Sequence, residues 1–240
     1  MVMASVIACP ICGLENGDDI TICVQCKAFL QAKVDTLDLF ATMWGMIESP
    51  GATLKKVVLS RTKNYVLILS VIVGVMLAFA YFWFYKIGNT IDGLFFILGL
   101  GILVGPLAGI IVMTTTAGLI NSFSRVFGGR RSYRNTLGVI SYSATPLILA
   151  FVLLFPVELA VFGQYFFGSN PHPMVIRPDL YMVLGGIHLL AFGWTIPLAI
   201  TGTSLANTLS GPRAALVLLL SAGVFAGAVH AVTLLVAMSS

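Results

Sequence analysis

The sequence predicts an all-α membrane protein: a small zinc ribbon followed by a bundle of five transmembrane helices. Three observations predict it. Of the 240 residues, 58% are hydrophobic and 9% are charged, too few charges to cover the surface of a water-soluble domain of this length. The hydrophobic residues gather into five long, continuous runs. All four cysteines, Cys9, Cys12, Cys23 and Cys26, lie near the N-terminus in two close pairs.

The ribbon comes first, over residues 1–32. Cys9-Pro-Ile-Cys12-Gly and Cys23-Val-Gln-Cys26 form a C-x2-C…C-x2-C pattern with ten residues between the pairs. Such tight pairing favours a metal over a disulfide framework. Four thiolates match the tetrahedral preference of Zn²⁺ and leave no open position, so the metal is read as structural. Iron in a rubredoxin-like site is the competing occupant. Gly13 suits the tight turn after the first pair, and Glu15 to Asp19 have the composition of a short hairpin. Residues 2–8 are apolar, and Val6-Ile7-Ala8-Cys9 loosely resembles a lipoprotein cleavage box. No Lys or Arg precedes it, the run is short for a signal peptide, and the ribbon accounts for Cys9.

Residues 33–63 are neither ribbon nor span. Leu37, Phe40, Trp44 and Ile47 recur at helical spacing on one face. After Pro50, Leu54, Val57 and Val58 oppose Lys55, Lys56 and Arg61. Two interfacial amphipathic helices are expected, with Trp44 at headgroup depth.

The membrane domain is expected over residues 64–240. A span needs about 20 apolar residues, and five windows qualify: 65–85, 94–120, 136–162, 180–201 and 214–237. Continuous rather than alternating hydrophobicity selects helices over strands. Lys27, Lys33, Lys55, Lys56, Arg61, Lys63, Arg125, Arg130, Arg131, Arg134 and Arg213 fall on one side of this arrangement, Lys86 and Arg177 on the other. The excess places the N-terminus and the ribbon in the cytoplasm and the C-terminus outside.

Gly101, Gly105 and Gly109 recur every four residues, as do Gly223 and Gly227. Small residues at that spacing allow close helix packing, or a seam between two copies of the chain. Pro106, Pro146, Pro156 and Pro197 lie within spans and are expected to kink them. Glu158, His188 and His230 are the ionisable groups inside spans. They suggest a shared polar pocket for a proton, a metal, a lipid headgroup or a haem or chlorophyll-type cofactor at His188 and His230. The plainer reading is that each is hydrogen-bonded locally. No motif of a hydrolase, metalloprotease, P-loop protein or dinucleotide enzyme occurs, so no catalytic residue is assigned. Arg130, Arg131 and Arg134 in the GGRRSYR loop suit anionic lipid or an acidic partner face, or else simply set the topology. Nucleic acid is not indicated.

From Leu39 onward the chain resembles the membrane domain of the Ypt-interacting protein (Yip) family. The resemblance rests on Trp44, Ile47, Pro50 and Leu54 before the first span, on Gly128-Gly129 with Ser132-Tyr133-Arg134 and Thr136-Leu137, and on Tyr142-Ser143-Ala144-Thr145-Pro146. It implies five spans and a cytoplasmic N-terminus. Eukaryotic members look like adaptors for Rab-type GTPases, whereas an appended ribbon points to the prokaryotic group and an inner-membrane location. The function expected is therefore a non-enzymatic scaffold in contact with lipids, with membrane or cytoplasmic protein partners and with further copies of itself. A small-solute or lipid transporter and an accessory subunit of a respiratory or photosynthetic complex are the alternatives.

Overall fold

The computed structural model describes residues 6–9, 11–17, 20, 22–26, 30, 36–130 and 132–239, with 228–239 described along the backbone alone. Two short strands open the chain, β1 (Val6–Ala8) and β2 (Glu15–Gly17), paired antiparallel with Ile7 opposite Asn16. Helices α1 (Leu39–Glu48), α2 (Pro50–Leu59), α3 (Val66–Phe84), α4 (Leu94–Val126), α5 (Tyr133–Ser143), α6 (Thr145–Phe162), α7 (Pro173–Ile176), α8 (Pro178–Asn207) and α9 (Gly211–Ser239) follow. Among the described residues, four segments are long and apolar enough to cross a membrane: Val66–Phe84, Leu94–Val126, Tyr133–Phe167 and Pro178–Asn207. The apolar helix of residues 211–227 is shorter within that described portion.

The chain divides into two compact units, one of residues 1–64, 116–140 and 200–240, the other of residues 65–115 and 141–199. The first has a core of Ile120, Leu209, Ala214 and Val217. In the second, an aromatic cluster fills the interior. Phe79, Phe82, Phe162, Phe166 and Phe167 are buried there with Ile97 and Leu184, and the Phe79 and Phe155 rings lie 4.6 Å apart, a separation that favours tilted aromatic pairs.

The third expected span is not one helix. Pro146 has no N–H to offer the Tyr142 carbonyl, and the Thr145 hydroxyl takes that place at 2.6 Å. The helix stops at Ser143 and restarts at Thr145, which puts Pro146 in the first turn of α6, where a missing donor costs nothing. Pro106, Pro156 and Pro197 do lie inside their helices.

Close backbone approach ties α3 to α4. A methyl on Gly109 would collide with the Ser70 carbonyl, and one on Gly105 would sit 2.6 Å from Val75 Cα. Gly74 faces both glycines, and Gly101 faces the Phe79 ring. Gly223 and Gly227 differ: a methyl on either meets no described atom within 4 Å. Four-residue spacing alone does not create a contact; a facing small residue such as Gly74 is needed as well.

Candidate functional site

Three groups of polar residues are candidates. The first is the cysteine cluster. After Cys9 the chain turns back on itself, with the Gly13 amide donating to Cys9 O and the Cys9 amide to Leu14 O, each at 2.9 Å. Gly13 has φ of +73°, a left-handed conformation that glycine adopts at little cost. The turn brings Cys9 and Cys12 beside Cys23 and Cys26, all four sulfurs lying within 4.8 Å of one another. Cys9 and Cys26 are 3.4 Å apart, Cys12 and Cys23 3.5 Å. A tetrahedral zinc with Zn–S bonds of about 2.3 Å sets its sulfurs about 3.8 Å apart, so the donor set fits.

The electrostatics also call for a cation. The Cys26 amide draws the Cys23 thiol down to about 6. The Leu14 amide favours the Cys12 thiolate too, but burial and the neighbouring sulfurs outweigh it and push Cys12 up to about 12. Four crowded thiols do not all ionise unless positive charge sits among them.

Asn16 was legible in the sequence as no more than a turn-former. It is buried, donates from Nδ2 to Leu14 O at 2.7 Å and towards Cys23 Sγ at 3.6 Å, and accepts the Val24 amide at 3.2 Å. It therefore ties the two cysteine pairs together, the supporting role that outer hydrogen bonds play around metal ligands.

The second group holds the basic loop. Helix α4 ends in a Schellman motif: Gly128 has φ of +77°, its amide donates to Arg125 O at 3.2 Å, and the Gly129 amide donates to Ser124 O at 2.8 Å. Helix α8 ends the same way around Thr208, with the Leu209 amide on Ser204 O at 3.0 Å. The loop is strapped to both ends. The Arg130 amide donates to Asn207 O at 2.8 Å, and the Ser132 amide to Asn121 Oδ1 at 3.0 Å. Asn207 Nδ2 donates to Thr136 Oγ1 at 3.1 Å, and Thr136 in turn donates to Ser132 O at 3.0 Å. Asn121, Thr136 and Asn207 are all buried, while Arg130 and Arg134 are exposed. Arg131 lies outside the described residues.

Lys63 belongs to the same unit. Its ammonium donates to Val57 O, to Val58 O at 2.9 Å and to Ser60 O at 3.0 Å, satisfying carbonyls at the end of α2 that no helical amide can reach. Burial, helped by the nearby Arg134 guanidinium, pushes it down to about 8.

The third group is the polar pair inside the spans. Helix α6 carries Glu158 and α8 carries His188, and His188 Nε2 lies 3.1 Å from Glu158 Oε1. The carboxylate is buried, the imidazole partly exposed. The His230 side chain lies outside the described residues. With Nε2 turned to a carboxylate, His188 does not present that nitrogen to a haem or chlorophyll-type cofactor.

The geometry thus offers a four-cysteine cluster that could hold a metal ion, a hydrogen-bonded basic loop and one hydrogen-bonded pair between two apolar helices. A family model for the Yip1 domain matches residues 44–233. Comparison with curated proteins and with solved structures brings up no match. The match runs from Trp44 through every apolar helix and covers most of the chain, and on that ground the protein belongs to the Yip family of membrane proteins.

Proposed function

We propose that the protein is a non-enzymatic scaffold that recruits protein partners to a prokaryotic inner membrane through a cytoplasmic zinc ribbon and the basic loop. The observation that carries this reading is the strapping of the loop by Asn121, Asn207 and Ser124. A loop that merely marks topology needs its charges and nothing more, whereas a recognition surface gains from being ordered before it binds. Arg130 and Arg134 stand out from a backbone held by hydrogen bonds to the buried Asn121 and Asn207, and such an arrangement suits carboxylates or phosphates. The excess of basic residues on this side of the spans supports its cytoplasmic placement. The ribbon supplies a second rigid module on the same side, with zinc in place of a hydrophobic core.

The test is purification in mild detergent followed by mass spectrometry, comparing the natural chain with an Arg130→Glu/Arg134→Glu variant. Partners held in fixed ratio by the natural chain and lost from the variant are the expected result. Isolation of a lone homo-oligomer, or substrate-dependent flux after reconstitution, would overturn it.

A further inference from the structure

Helix α1 exposes its bulkiest apolar side chains. The side that packs holds Thr42 and Met46, both buried, and a methyl on Gly45 would strike the Thr53 hydroxyl on α2. The opposite side carries Phe40, 81% exposed, Trp44, 66% exposed, and Ile47, 44% exposed. Spacings of four and three align these three side chains in one stripe. Leu37, expected on the same face, precedes the helix and is buried; Asp38 caps the helix start, accepting the Ala41 amide at 2.7 Å. Helix α2 has the ordinary sense, with Leu54 and Val57 buried and Lys56 exposed.

The place of the stripe in the chain and its size both point to lipid as its cover. Six residues, 60–65, join α2 to the apolar helix α3. Even fully extended they reach about 20 Å, so the chain length keeps the end of α2 within that distance of the start of α3. The stripe is also too small to be a protein interface. Phe40 and Trp44, at about 150–250 Å² each when fully buried, and the smaller Ile47 together fall short of the roughly 800 Å² per partner that a stable interface buries. They are, however, what an in-plane helix needs to bury in a monolayer.

We propose that α1 lies in the membrane interface, with Phe40, Trp44 and Ile47 inserted among the acyl chains of the leaflet that α3 enters and with Lys56 and Arg61 at headgroup level. This is independent of the scaffold reading, because it concerns lipid alone.

The test uses a chain with Trp44 as its single tryptophan (Trp83→Phe, Trp194→Phe), reconstituted into phosphatidylcholine–phosphatidylglycerol vesicles. Trp44 should emit in the blue, lose most of its emission to a lipid carrying a nitroxide near the headgroup, and resist aqueous iodide. Phe40→Ser/Ile47→Ser should reverse both responses. Free quenching by iodide with none by the lipid would overturn the proposal. So would protection from both quenchers, which would mean that protein covers the stripe. If the single-tryptophan chain fails to fold, the difference between the natural chain and Trp44→Phe gives the same readout.

Discussion

Asn207 reaches across 71 residues of sequence to donate its side-chain amide to the hydroxyl of Thr136, and both residues are buried. The same asparagine accepts the Arg130 amide on its backbone carbonyl. One residue at the end of α8 therefore holds both the start of α5 and the loop before it. Asn207→Leu leaves the Arg130 bond possible and leaves Thr136 its bond to Ser132 O, but removes the buried bond between the two side chains, at a cost of about 0.5–1.5 kcal/mol. Thermal unfolding in detergent should show that loss, and the Arg130 and Ser132 amides should exchange faster with deuterium.

The crossing of α3 and α4 leaves no room for a side chain. Gly109→Leu should therefore cost about 1–3 kcal/mol or more through overpacking, and Gly74→Leu should match it, although Gly74 belongs to no glycine repeat. Gly223→Leu is the control and should leave the melting temperature almost unchanged. A Gly223 variant as damaging as the Gly109 variant would point to a neighbouring copy on that face.

Within the spans, Glu158 and His188 should behave as a unit. His188→Leu leaves a buried carboxyl without its partner, and a loss of about 1–3 kcal/mol is expected. Removing both groups in Glu158→Leu/His188→Leu should restore much of it, since two apolar groups in place of a buried polar pair are often tolerated. A double variant as unstable as the sum of the singles would show that the two residues act separately.

The cysteine cluster should hold one zinc per chain by elemental analysis, and Cys12→Ser or Cys23→Ser should release it. Loss of metal is expected to unpair β1 from β2, with rapid exchange at the Ile7 amide, while helical circular dichroism stays near its original value. A visible absorption band from the purified chain would identify iron instead.

Lys63 supplies a pH dependence with a definite sign. Its value in the fold is about 8, below the ordinary 10.5, so the native chain gives up this proton first as the pH rises. The unfolded chain then binds more protons, and by linkage the contribution of this residue to stability grows between those two values. The melting temperature of the natural chain should accordingly rise relative to Lys63→Met from neutral pH to the upper end of that window. A flat or falling difference would refute the assignment.

What could be read from the sequence was whatever depends on local spacing or continuous composition. The paired cysteines announced a four-sulfur cluster because the ligand spacing is local. The apolar runs announced helices because a bilayer demands them, and α3, α4 and α8 start within about two residues of the expected positions. Long-range pairing was not legible. Glu158, His188 and His230 could be grouped as the ionisable residues within spans, but that Glu158 meets His188 depended on how α6 and α8 pack. Asn121 and Asn207 carry no spacing signal, and Thr136 entered only through the family resemblance; nothing local shows the bonds that the three make. Pro146 was visible, yet whether it bends a helix or begins one depended on the Thr145 hydroxyl reaching Tyr142. Leu37 fitted the periodicity of α1 and was misplaced because Asp38 starts the helix one residue later.

The strapped loop also bears on how the orientation of this chain can be mapped. The run around Gly129 is short, charged and between two apolar helices, which makes it an inviting place to insert a reporter or an epitope tag. It is also where the Gly129, Arg130 and Ser132 amides close the ends of α4 and α8. An insertion there would open both helix ends at once, so a silent reporter at that position would speak of a broken fold rather than of the side of the membrane on which the loop resides.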